Sequence, residues 1–173
     1  MIDEDKKEKS IVIYFSRADE NYFGGELKAV DKGNTEILAE YIQEFTGATL
    51  FKVERKVPYS FGYKDCCDEA LDEKNSNARP ELLKELDNID EYERIYIGFP
   101  IYWGTMPMPM FTQLEKLNWE GKKVQYFCTH EGSGKASSKG DIFRICEGAQ
   151  VLSGIAIVGS EVQNAKKQIQ DWV

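Results

Sequence analysis

Histidine is nearly absent from this 173-residue chain, with His130 its single copy, and the four cysteines show no C-x-x-C spacing. That leaves no plausible ligand set for zinc. Cys66 and Cys67 are adjacent while Cys128 and Cys146 lie far off, which suits reduced thiols in a cytoplasmic protein rather than a disulfide framework. Positive charge is also short: 22 Lys and Arg against 30 Asp and Glu give a net charge of −8. A nucleic-acid partner is therefore not expected, because phosphate backbones demand a basic surface. The acidity can simply keep the protein in solution, or it can steer encounter with basic protein partners. No apolar run approaches the roughly 18 residues of a membrane span. The start of the chain is charged without an apolar segment, so residues 1–9 are expected to be a tail and not a signal peptide.

Several catalytic signatures are missing as well. No G-x-G-x-x-G follows the first apolar run and no G-x-x-x-x-G-K-[ST] occurs, which argues against a Rossmann dinucleotide site and a P-loop. No carboxylate follows Phe15, where a phospho-acceptor domain needs one, and G-x-S-x-G is absent. Neither a catalytic residue nor a metal ligand is assigned from the sequence.

What is present is alternation. Apolar runs at 11–15, 49–53, 95–99, 124–128 and within 151–158 read as strands buried on both faces. Between them lie helical patterns over 35–45, from Pro80 through Leu86, from Pro107 or Pro109 through Leu117, and over 138–146. A final helix capped by Ser160 carries Val162, Ala165, Ile169 and Trp172. Residues 54–77 are polar and too long for an ordinary connection, so they are expected to be a functional or irregular flap. Five strands alternating with five helices give an α/β fold with a parallel sheet and helices on both faces, in one domain over 1–173. Right-handed crossovers bring every strand-to-helix loop to the same edge of the sheet.

Three of those loops carry the residues of interest. The first has Ser16 and Arg17 and, after a gap, Gly33, Asn34 and Thr35 at the start of a helix, where free N–H groups and the helix dipole favour an anion. Asn34 can equally be a helix cap. The second has Pro100, Ile101, Tyr102, Trp103 and Gly104; one of its two aromatics could stack on a planar heterocycle. The third has Thr129, His130, Glu131, Gly132 and Ser133, followed by Gly134. Its hydroxyl, imidazole and backbone N–H groups could reach the polar edge of a ring, while Glu131 would disfavour negative charge on it. Together the loops point to a phosphorylated, planar cofactor in the crevice beyond the strand ends.

The blocks Phe15-Ser16-Arg17, Gly33-Asn34-Thr35-Glu36, Gly98 through Gly104 and Thr129 through Gly134 resemble those of the flavodoxins and flavodoxin-like FMN proteins. The resemblance runs from about Ile11 to the last helix. It implies a three-layer sandwich with strand order 2-1-3-4-5, of the short-chain type, and FMN as cofactor. The first loop would hold the FMN phosphate through Ser16, Arg17, Asn34 and Thr35. The second would lay Tyr102 or Trp103 against the isoalloxazine, and the third would bond its pyrimidine edge. The chain departs from the family in the residues 18–32 that separate the two halves of the phosphate loop. Two functions fit. One is an electron carrier between redox partner proteins, some of them basic. The other is an NAD(P)H-dependent FMN oxidoreductase, quinone-reductase-like, acting on a small acceptor.

Overall fold

The computed structural model describes residues 7–173. Most of the charged tail, residues 1–6, lies outside the described residues. The chain runs β1 (Ser10–Tyr14), β2 (Asp19–Phe23), β3 (Glu26–Val30), α1 (Asn34–Thr46), β4 (Thr49–Lys52) and α2 (Tyr63–Asn75). It continues through β5 (Arg94–Pro100), α3 (Met108–Leu114), β6 (Lys123–His130), α4 (Ser138–Ile145), β7 (Gln150–Val158), a 3-10 helix (Gly159–Asn164) and α5 (Lys166–Trp172).

Five strands form one parallel sheet in the order β4-β1-β5-β6-β7. This is the expected 2-1-3-4-5 order of the core strands; only the numbering changes, because β2 and β3 pair with each other outside the sheet. Alternate residues of each strand feed two cores. Ile11, Ile13, Ile95, Ile97 and Tyr126 pack with Cys66 and Ala70 of α2, Met110 and Leu114 of α3 and Ile142 of α4. Val12, Tyr14, Tyr96 and Phe127 face the other way, onto Leu38 and Ile42 of α1 and Ile169 of α5. Gly98 lets the Phe127 ring lie across β5: a Cβ there would stand 2.1 Å from Phe127 Cζ.

The departing segment takes a definite form, and some expected elements come out differently, each for a local reason. Residues 18–32 fold as the β2–β3 hairpin, closed by Gly24 and Gly25 at φ values of +52° and +101°, the two positive angles of a tight hairpin turn. The polar stretch expected as a flap contains α2. Its inward positions are Cys66, Ala70 and Glu73, correctly spaced for a helix but too small or too polar to read as an apolar stripe. The helix expected from Pro80 is not formed. Leu82 instead bridges Arg55 antiparallel, the Leu83 N–H donates to the Glu54 carbonyl (2.9 Å), and the buried Gln113 amide bonds both backbone groups of Leu86 (2.8 and 2.9 Å). Those pairings satisfy a backbone that helix formation would otherwise satisfy. The final helix also divides, into the 3-10 helix and α5, with no side-chain cap from Ser160.

Candidate functional site

The chain leaves β1 at Ser16-Arg17, makes the hairpin, and returns to within contact of its departure point at Gly33. A Cβ on Gly33 would stand 2.3 Å from Ser16 Oγ and 2.5 Å from the Arg17 carbonyl oxygen, so only glycine allows the two halves of the first loop to close. Ser16 Oγ accepts from the Glu36 N–H (3.0 Å) and so caps α1 from across the gap. The Ile37 N–H goes to Gly33, which leaves the N–H groups of Asn34 and Thr35 without a partner among the described residues. The first loop joins the third through the buried hydroxyls of Thr35 and Thr129, 2.9 Å apart.

Arg17, expected at the phosphate, lines the cavity with its guanidinium bound to the protein. Its guanidinium donates to the carbonyls of Glu20 (2.5 Å), Ser60 (2.8 Å) and Phe61 (2.6 Å), and to Asn21 Oδ1 (3.2 Å). These bonds tie the hairpin to the loop ahead of α2. The Arg17 side chain still lines the cavity, but its forked donors are occupied by the protein itself.

In the second loop Trp103 (φ +53°) and Gly104 (φ +88°) are the central residues of a tight turn between Tyr102 and Thr105, whose backbones pair antiparallel. A positive φ is strained for so bulky a residue as Trp103. Two contacts with α2 hold it: its indole N–H donates to the Cys67 carbonyl (2.9 Å), and its own carbonyl accepts from Lys74 Nζ. The ring is 46% exposed at the mouth of the cavity. Tyr102 turns the other way and meets Phe15 and Tyr59 edge-on, at centroid distances of 5.8 and 6.1 Å. Burial pushes its phenol well above the ordinary tyrosine value, with the neighbouring Cys66 thiol acting in the same direction.

The third loop corrects a second expectation. The N–H groups of Gly132 and Gly134, expected to face a ligand, donate to His130 Nδ1 at 2.9 and 3.1 Å. With Nδ1 accepting two bonds, the neutral imidazole carries its proton on Nε2, so His130 is a donor from that nitrogen. The Glu131 carboxylate accepts from the Ser160 N–H (3.0 Å) and the Gly24 N–H (3.3 Å), pinning the hairpin tip to the end of β7.

These loops open on a cavity of about 500 Å³, the size of a small-molecule site. Of the residues singled out in the sequence, Arg17, Asn34, Pro100, Ile101, Tyr102, Trp103, Thr129, His130 and Glu131 line it. Ser16, Gly33, Thr35, Gly104, Gly132 and Ser133 do not; the first three support the loop from behind. The remaining wall comes mostly from the segments 18–32 and 54–77, which as segments could be expected to shape a pocket, but none of its residues was singled out in the sequence. Asn21 and Tyr22 come from the hairpin, and Tyr63, Cys66, Cys67, Asp68 and Ala70 from α2. A Gly-Gly pair between two short runs was the available signal for the hairpin; α2 gave none. Burial raises the Cys66 thiol to about 11 and the Tyr63 phenol to about 12. At neutral pH both remain protonated, so this wall offers neutral hydroxyl and thiol groups. Among the described residues no cluster of three His, Cys, Asp or Glu could hold a metal, and no helix is long and apolar enough to cross a membrane.

A flavodoxin family model matches residues 27–173. No match was found among curated proteins. Among solved structures, a candidate flavoprotein from Bacteroides uniformis superposes with a TM-score of 0.76 at 24% identity, over 96% of this chain and 98% of the other. A flavoprotein from Lactobacillus acidophilus in complex with FMN gives 0.62 at 24% identity, over 91% and 97%. The FMN-bound flavodoxin of Fusobacterium nucleatum gives 0.54 at 14% identity, over 95% and 94%. At these identities the likeness speaks for the fold.

Proposed function

The chain belongs to the flavodoxin family, and from that premise we propose that it binds FMN in this cavity and carries electrons between redox partner proteins in the cytoplasm, acting as one domain. The observation that carries this reading is the start of α1. Two N–H groups there lack a partner, Asn34 reaches the cavity wall, and Gly33 keeps the backbone bare of a side chain. Helix dipole and free donors make that position suited to the FMN phosphate. Ser16 and Thr35 shape it from below rather than contacting the ligand. Trp103, exposed and held by α2, is the aromatic free to flank the isoalloxazine, since both neighbours of Tyr102 meet its ring edge-on. His130, with its Nε2 proton available, and Thr129 suit the polar edge of the ring.

Bound FMN supplies the redox chemistry; the protein's residues bind it, orient it and set the field around it. The exposed Asp68 of α2 and the half-exposed Trp103 line the cavity, and α2 carries two more exposed acids, Asp65 and Asp72, a charge pattern that suits a basic partner protein. A second reading, an NAD(P)H-dependent oxidoreductase acting on a small acceptor, draws support from the hairpin and α2, which deepen the cavity into a walled pocket. The test is direct. Purified protein is expected to be yellow, or to become so with added FMN, and a colourless protein that ignores FMN refutes both readings. With FMN bound, NADPH oxidation by a quinone without a partner reductase would favour the enzyme; no turnover favours the carrier.

A further inference from the structure

Arg17 is the one cationic side chain among the described residues that line the cavity, and it is 8% exposed. All its hydrogen-bond acceptors are neutral, three carbonyls and one amide oxygen, and its Nε is buried without a partner. A buried cation with no carboxylate on it is costly to hold. Carbonyl dipoles offset part of that cost, and the rest persists as positive potential at the cavity. Its neighbours feel it: the guanidinium opposes the burial that raises the Cys66 thiol and the Tyr102 phenol. The acids in the lining are differently placed. Asp68 is paired with Lys64 at 2.7 Å, and Glu131 is spread over two backbone N–H groups.

We propose that Arg17 is a redox-tuning residue, a fixed cation held off the cofactor by backbone carbonyls, which favours the reduced form of the bound flavin over the oxidised form. The inference rests on FMN occupying the cavity. Two electrons and one proton taken up by the ring leave it with one added negative charge. In a chain of net charge −8, Arg17 is the counterweight to surroundings that otherwise resist that charge.

The test separates the charge of Arg17 from its fork. Arg17→Gln removes the charge; Arg17→Lys keeps it but loses the fork that ties the hairpin to Ser60 and Phe61. For each, oxidised-FMN affinity is measured by titration, the midpoint potential by dithionite reduction against a reference dye, and the ordering of 19–23 and 60–61 by amide exchange in the apo-protein. Both variants are expected to speed exchange. Only Arg17→Gln is expected to weaken reduced FMN relative to oxidised FMN, by about tenfold or more, which is about 30 mV on a two-electron couple. Asn21→Asp, which sets a carboxylate where Oδ1 already accepts from Arg17, should lower the potential in the same direction, and it decides the matter if Arg17→Gln does not fold. Equal shifts in Arg17→Gln and Arg17→Lys, an unmoved potential in Asn21→Asp, or equal losses of oxidised and reduced affinity in Arg17→Gln would overturn the proposal. A wild-type protein that takes up no FMN refutes the proposed function itself. One that binds FMN while the variants leave its potential unmoved refutes only this inference.

Discussion

The loops at Ser16, Pro100 and Thr129 reach the cavity as direct continuations of buried strands, whereas the hairpin and α2 that face them are for the most part exposed or half-buried and bring few buried apolar residues to the fold. The inner half is therefore fixed by the core. The outer half is fixed by a small set of polar ties: Arg17 to Glu20, Ser60 and Phe61, Glu131 to Gly24 and Ser160, the Tyr63 N–H to Glu20 Oε1, and the Trp103 indole to Cys67. A site can thus be rigid on the side that grips and adjustable on the side that admits. Individual polar ties contribute about 1 kcal/mol each, whereas a core position contributes several times that.

The sharpest way to break this contrast is Gly33→Ala. Its Cβ would sit against Ser16 Oγ and against the Arg17 backbone, and backbone yields poorly. A loss of about 2–3 kcal/mol in denaturant unfolding is expected, typical of overpacking, together with loss of FMN binding by titration. Wild-type stability in this variant would mean that the first loop is not closed as described.

Next in size is Thr35→Val, which strands the buried Thr129 hydroxyl. It should cost about 1–3 kcal/mol, and the double variant Thr35→Val/Thr129→Val should recover much of the loss, since removing both partners of a buried bond is nearly neutral. A double variant as unstable as the sum of the singles would deny the pairing.

Glu131→Ala tests the outer wall. It frees the hairpin tip from the end of β7, so amide exchange at Gly24 and Ser160 should quicken while global stability falls by only about 1 kcal/mol. A larger global loss would place the hairpin within the core cooperative unit and erase the contrast between the two halves.

The smallest effect is expected far from the cavity. Arg94 donates to Glu8 at 2.8 Å and Lys123 also donates to it, and these bonds, Lys123 first, hold the Glu8 carboxyl below its ordinary value of 4.5. A depressed carboxyl adds stability that is present above about pH 4.5 and lost as pH falls through the lowered folded value. Glu8→Gln should remove that acid-side dependence, cost about 0.5 kcal/mol at pH 7, and leave FMN affinity unchanged.

The inner half was legible because its residues are also fold-forming. A buried strand must end, a helix must start, and Asn34, Tyr102 and His130 occupy those junctions. Legibility stopped where a residue's bonds are set by partners remote in sequence. Arg17 reads as a phosphate ligand next to Ser16, yet its donors are claimed by carbonyls at Ser60 and Phe61. The Gly132 N–H reads as a donor to the polar edge of a ring, yet it is claimed by His130. The Pro80–Leu86 segment has a helical pattern, yet Glu54 and Gln113 take its backbone groups.

By itself the sequence determined the parallel sheet and the crevice edge, because hydrophobic periodicity and right-handed crossovers leave few other ways to bury five apolar strands, while the strand order came only through the flavodoxin resemblance that its loop motifs carry. Tertiary structure alone decided that the two halves of the first loop meet at Gly33, that a helix of Cys, Ala and Glu closes the far wall, and that Arg17 stands beside the cavity as a charge without a carboxylate. The physical reason is the same in each case. Burial follows from local pattern, but which donor meets which acceptor depends on what the fold brings within about 3 Å.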